Sequence, residues 1–348
     1  MSGAAGMTGA FRTPREGGFV MPAEWAPHAR CWMAWPCRAE LWRQNLGTAR
    51  AAYAAVAKAI ARFEPVTMVT RLGDAAAARD VLGNGIPILE LPLNDSWMRD
   101  IGPTFLVNST GGLAGAAWQF NAWGGKYKDY GDDARLAGRL LRQLGLPCFE
   151  APFVLEGGAI HVDGEGTALV TEQCLLNPNR NPALKKADVE AHLRDWLGVE
   201  TVIWLGQGLV DDETDGHVDN LACFAKPGVV LALSEDDYLE PNFGALSDNL
   251  ERLAKATDAK GRALTVIPIH QPAERRVAGK RLALSYINFY RANGGLVVPR
   301  FEDARDRTAQ DQLAQVFPEL KITSVAALDI VRGGGGIHCI TQQQPRGV

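Results

Sequence analysis

The sequence predicts an α/β fold built from one repeated unit, set in a ring around a central site. Three observations predict it. A polar station followed by an apolar strand, a glycine turn, a second strand, a helix and a third strand recurs four times. The stations are evenly spaced: Asp100 and Glu156 lie 56 residues apart, Glu156 and His217 61, and His217 and Cys339 122, or two units with Ser285 between them. The N-terminal unit lacks an opening hairpin, and the strand carrying Cys339 would complete it, closing the ring from both ends. Five units then fit in the 348 residues, as a single domain over 21–348 behind a flexible leader over 1–20. The competing reading is a generic α/β domain in which such segments recur by chance.

Each element has its own signal. Residues 31–36 form a short apolar strand. Alanine-rich 50–63 carries apolar residues at helical spacing, 66–71 reads as a strand, 75–82 as a short helix and 87–92 as a strand. The first station, 95–100, leads to strands 103–107 and 113–120 around a glycine turn, then a helix over 133–144 closed by Gly145. The second, 156–158, leads to strands 159–162 and 167–176, a helix over 182–197 closed by Gly198, and strand 201–205. The third, 215–219, leads to strands 221–224 and 229–234, helix 245–257 and strand 265–269. The fourth, 285–288, leads to strands 287–290 and 296–301, helix 304–316 and strand 321–325. Gly333 to Gly336 follow, then Ile337-His338-Cys339-Ile340, read as strand-like.

Composition narrows the function classes. No run of 18 apolar residues occurs, so no membrane-spanning helix is expected. The first residues have neither the basic nor the apolar region of a secretory signal. Six scattered cysteines are too few for a disulfide scaffold, which points to the reducing cytoplasm. A net charge of −4 without single-sign runs disfavours nucleic acid as a partner.

The stations bring one thiol, one imidazole and several carboxylates towards one centre. Cys339 follows four glycines, where a backbone without Cβ admits close neighbours. Cysteine needs little help to act as a nucleophile, and His217 would serve as its proton shuttle. His217 and Asp219, two apart, would share a face on a strand. Asp95, Asp100, Glu156, Asp215 and Asp219 supply carboxylates suited to a planar cation with several N–H donors, a guanidinium. Blander readings accompany these. Cys339 could be a buried structural thiol, and Arg99 beside Asp100 a structural ion pair. Asp163 and Glu165 sit in a turn and read as solvated, and His161 and His338 as ordinary histidines. Cys31, Cys37, Cys148, Cys174 and Cys223 read as inert filler. A zinc site from His217 and Asp219 with Cys339 or His161 is the chemical rival, though no paired metal-ligand motif supports it.

The motifs Trp97-Met98-Arg99-Asp100-Ile101-Gly102-Pro103, Phe120-Asn121-Ala122-Trp123-Gly124-Gly125-Lys126, Leu155-Glu156-Gly157-Gly158, Glu213-Thr214-Asp215-Gly216-His217-Val218-Asp219 and Gly334-Gly335-Gly336-Ile337-His338-Cys339-Ile340-Thr341-Gln342-Gln343 together resemble the agmatine deiminases of the guanidine-modifying (pentein) superfamily. The resemblance runs from Met21 to the C-terminus. It implies a five-bladed α/β propeller of ββαβ units and hydrolysis of agmatine to N-carbamoylputrescine and ammonia, in a cytoplasmic homo-oligomer, with no metal or organic cofactor. Carried onto this sequence, it makes Cys339 the nucleophile and His217 the general acid/base. Asp100 and Asp219 would grip the guanidinium, and Glu156 would share proton handling. Trp97 and Glu213 would line the channel for the aliphatic chain and distal ammonium. Asp215 departs from the Asn more often expected there; a charge beside His217 would raise its pKa. Arginine deiminase, peptidylarginine deiminase and a non-catalytic polyamine-binding module are the alternatives.

Overall fold

Alternating apolar residues and glycine turns produce antiparallel hairpins, and a helical connection brings a third strand back parallel to each. The computed structural model describes residues 11–347. Thr104–Asn108 and Leu113–Gln119 pair antiparallel, and Cys148–Val154 joins in parallel. The same order recurs in His161–Val162, Thr167–Thr171 and Thr201–Leu205, in Ala222–Lys226, Val229–Ser234 and Thr265–His270, and in Tyr290–Ala292, Gly295–Arg300 and Lys321–Ala326. A further sheet joins the two ends of the chain. Thr341–Pro345 pairs antiparallel with His28–Ala34, with Thr341 opposite Met33, and Val66–Thr70 and Ile88–Glu90 extend it in parallel. A small hairpin, Arg276–Val277 with Lys280–Arg281, lies outside this pattern.

Helices cover the sheets. Leu46–Ile60 buries Ala49, Tyr53, Ala54, Val56, Ala57, Ala59 and Ile60, an apolar face at helical spacing. Ala75–Leu82 has the limits that its pattern predicts. Two apolar cores result. The larger includes the sheet that joins the two ends of the chain and the helix Leu46–Ile60; the smaller includes Phe19, Leu106, Trp118, Phe153, Val170 and Trp196.

Four expectations need correction. The leader was set at 1–20, but Arg15–Gly17 forms a helical turn and Phe19–Val20 pairs with Val107 and Asn108; residues 1–10 lie outside the described residues. The strand from Thr167 ends at Thr171, whose hydroxyl accepts the Cys174 N–H at 3.2 Å and caps a short helix, Glu172–Leu175. Cys339 is not on a strand. The His338 N–H donates to Asn288 and the Thr341 N–H to the His338 carbonyl, so residues 337–340 turn and the strand starts at Thr341. His217 and Asp219 likewise occupy a turn, Val218–Asn220, with His217 at its start. Each station is thus a short turn just ahead of a hairpin, and these turns carry the polar side chains inward.

Candidate active site

Cys339 lies at the base of a pocket lined by Trp97, Asp100, Trp123, Lys126, Tyr127, Glu213, Thr214 and the glycines 333–335. The pocket holds about 340 Å³ of empty space, its open mouth included. The glycine run makes room for the thiol: a Cβ on Gly335 would stand 3.1 Å from Cys339 Sγ and 2.7 Å from the Trp97 ring. Trp97 is held in place by stacking on Trp42 at 6.0 Å between ring centres.

The thiol sits among acceptors. Cys339 Sγ is 3.5 Å from Asp219 Oδ2, and Asn288 Nδ2 donates to it at 3.3 Å. Burial, then the charges of Asp219 and Asp100, push its pKa well above the ordinary thiol value. These surroundings favour the neutral thiol over the thiolate.

Three catalytic-type side chains meet over Gly158. A Cβ there would stand 2.5 Å from His217 Nδ1 and 3.0 Å from both Asp100 Oδ1 and Asp219 Oδ2. Asp100 accepts the Gly158 N–H at 3.0 Å and the Trp123 indole N–H at 2.9 Å. Burial nevertheless raises its pKa. His217 is fully buried, with Nδ1 3.8 Å from Asp100 and Nε2 3.6 Å from Glu156. Neither ring nitrogen makes a hydrogen bond within normal limits to the described residues. Burial alone would lower its pKa. The negative charge of Asp100, with Cys174 and Glu156 beside it, outweighs this and raises it well above the usual histidine value. Glu156 Oε1 accepts from Arg180 Nε at 2.7 Å while Oε2 faces His217. Despite burial, His217 and Arg180 keep Glu156 below the usual carboxylate value. Asp219 Oδ2 meets His338 Nδ1 at 2.8 Å, and Oδ1, also buried, has no partner among the described residues. Burial opposes its charge, but His338 outweighs that and lowers its pKa.

The seven residues to which the resemblance assigns a role thus lie at or around the pocket. Cys339, Asp100, Trp97 and Glu213 line it, and His217, Asp219 and Glu156 stand behind Asp100 and the thiol. Asp95 does not join them; it is buried against Arg38 at 2.9 Å. Asp215 has its φ at +63°, a backbone that suits Asn, and turns its carboxylate to Arg180 at 2.7 Å and Lys126 at 3.5 Å. Its charge is compensated there and is not what raises the pKa of His217. Arg99 pairs with Glu24 at 3.4 Å rather than with Asp100. Asp163, read as solvated, is buried and accepts the Glu165 and Thr167 N–H groups of its own turn.

Sequence reasoning misses Asn288, Arg180 and Trp123, which contact the thiol, Glu156 and Asp100, and reads Cys174 as inert filler and His338 as an ordinary histidine. Trp123 lay within a quoted motif and Asn288 within the fourth station, so their signal was present but carried no chemistry by itself. Glu156, Cys174 and His217 place one donor atom each within 4.8 Å of one another, a set that differs from the zinc ligands considered from sequence. Arg180 is bound to the same glutamate, and its cation opposes metal there.

A family model for Porphyromonas-type peptidyl-arginine deiminase matches residues 20–345. The agmatine deiminase of Stutzerimonas stutzeri is 48% identical over 363 aligned positions, covering 97% of this chain and 99% of the relative. That of Pseudomonas aeruginosa is 46% identical at the same coverage. The solved structure of the agmatine deiminase of Enterococcus faecalis superposes with a TM-score of 0.93 at 40% identity, over 97% of this chain and 99% of that one.

Proposed function

The chain belongs to the Porphyromonas-type peptidyl-arginine deiminase family, and on that premise we propose that it hydrolyses agmatine to N-carbamoylputrescine and ammonia, with Cys339 as the nucleophile. The observation that carries this is one thiol, Cys339, at the base of a pocket with Asp100 beside it and Glu213 towards the mouth. Asp100 and Asp219 grip the guanidinium, each charge-assisted hydrogen bond contributing roughly 1.5–3 kcal/mol. Trp97 flanks the aliphatic chain, and Glu213, about a third exposed and now in contact with Lys280, receives the distal ammonium.

The charges set the order of events. Cys339 is a thiol in the empty site because of burial and Asp219. A bound guanidinium offsets the acids, and the thiol proton is lost to solvent. The thiolate forms an S–C bond to the guanidinium carbon. His217, held as imidazolium, protonates the departing nitrogen, the C–N bond breaks and ammonia leaves. An amidino-thioether remains on Cys339. The now neutral His217, steadied by Glu156, takes a proton from water, and the oxygen bonds to the same carbon. The S–C bond then breaks as the hydroxyl proton passes to the leaving sulfur, giving the ureido product and the free thiol. No step calls on a metal or organic cofactor.

A second reading, arginine as substrate, has one observation in its favour. Lys126 lines the pocket and Lys280 touches Glu213, so cations able to meet an α-carboxylate stand at the mouth. Ammonia release from agmatine, arginine and a blocked arginyl peptide, with the ureido product weighed, separates these. Turnover of agmatine with N-carbamoylputrescine formed is expected. Turnover of arginine or the peptide instead would keep the chemistry and reject the substrate, and heat of agmatine binding without ammonia would favour the binding module. The finer form of the fold, a five-bladed α/β propeller, is supported by the shared strand order of the larger sheets. A cytoplasmic homo-oligomer with no nucleic-acid or membrane partner completes the proposal. No helix among the described residues is long and apolar enough to cross a membrane. Light scattering and cell fractionation test the assembly and the location.

A further inference from the structure

We propose that His338 and Glu24 are positioning residues for the reaction: His338 holds the Asp219 oxygen that stands beside Cys339, and Glu24 fixes His338. This rests on the roles given above to Asp219 and Cys339. His338 is buried between two carboxylates, with Nδ1 2.8 Å from Asp219 Oδ2 and Nε2 2.7 Å from Glu24 Oε1. A neutral imidazole has one N–H and could satisfy one of them; only the imidazolium donates to both. Burial and Arg99 oppose that charge, but Glu24 and Asp219 outweigh them and raise the pKa of His338. Glu24 is itself held from two further sides, by Arg99 at 3.4 Å and His161 at 3.6 Å.

Two consequences reach the chemistry. The oxygen that His338 ties, Asp219 Oδ2, is the one beside Cys339, and Oδ1 has no partner among the described residues, so His338 is what sets this carboxylate against the thiol. The imidazolium also offsets the carboxylate that lies 3.5 Å from Cys339 Sγ. The groups facing that thiol include Asp219, Asp100 and the Tyr53 hydroxyl. Without His338, only the more distant His217 and Arg99 would offset the Asp219 charge, and Cys339 would ionise at higher pH.

The test uses the full chain with H338A, H338N, E24Q and the H338A/E24Q double variant. Asparagine can donate to Asp219 but cannot reach Glu24 or carry charge. We expect H338A to lower kcat/KM by about 10- to 100-fold, largely through KM, and H338N to recover part of the loss. E24Q should cost several-fold alone and little more in the H338A background. The pH midpoint of Cys339 alkylation by iodoacetamide should move upward in H338A, a change that packing alone would not produce. Wild-type kcat/KM in H338N and E24Q, or an undiminished E24Q effect in the double variant, would overturn the proposal, as would an unmoved alkylation midpoint. Agmatine affinity measured by calorimetry in C339A and C339A/H338A separates the premises. Tight binding to both rejects the positioning role, whereas turnover by C339A rejects the nucleophile and leaves the positioning result standing.

Discussion

A buried thiol among carboxylates is a poor nucleophile until its surroundings change. Burial, Asp219 and Asp100 raise the pKa of Cys339, so on the proposed mechanism a bound cation is also what activates the thiol. C339A should therefore lose turnover by about 10⁴-fold or more while still binding agmatine, as read by calorimetry. His217 provides a pH test. Its folded pKa is raised, so its charge stabilises the fold fully below the ordinary histidine value near 6.5, and this is lost as pH rises through the raised value. Replacing His217 by Asn should lower the thermal midpoint more at pH 6 than at pH 9; equal losses would mean a neutral imidazole. At this scale the sequence was most legible where chemistry is rare: one cysteine after glycines, one histidine between aspartates. It was least legible where a side chain's meaning depends on a distant partner. Asp215 reads as a neighbour of His217 in the chain, yet its carboxylate goes to Arg180, 35 positions away. His338 reads as a bystander until Glu24, 314 positions distant, is placed beside it.

Turns rather than strands present the reacting groups. A strand would have sent His338 and Cys339 to opposite faces and bonded their backbone into a ladder. In the turn, Cys339 faces the pocket while His338 holds Asp219 behind it. Gly158 shows how little room the turns leave: Gly158→Ala would drive a methyl to within 2.5 Å of His217 Nδ1. Displacing the imidazole by about 1 Å should cost roughly 100-fold in kcat with the fold retained, measured by turnover alongside circular dichroism. Activity near wild type would show that His217 has slack. Periodicity found the helix Ala75–Leu82 to the residue and the strand Thr201–Leu205 likewise. It failed at residues 172–176 and 337–340, where a side chain or backbone contact diverts the chain into a turn that apolar patterning does not encode.

One sheet is completed by strands from both end regions of the chain. Thr341–Pro345 supplies the antiparallel partner of His28–Ala34, and the thiol sits two residues before it. Closure and catalysis are therefore linked through a few covalent bonds. Truncation after Ile340 should strip a strand from the first sheet, uncovering Cys31, Trp32 and Met33, and abolish cooperative thermal unfolding. A cooperative, active truncated chain would show that the sheet closes without it. This closure was legible from the missing hairpin of the first unit. The pairing of Phe19–Val20 was not, because two residues carry no detectable period.

The most direct measurement is the mass of the intact protein, acid-quenched during agmatine turnover and then mapped by peptide. A fraction heavier by agmatine less ammonia, with the added mass on the peptide holding Cys339, is the expected result. Turnover with no such species on any peptide, or with the adduct on another residue, would contradict Cys339 as the nucleophile.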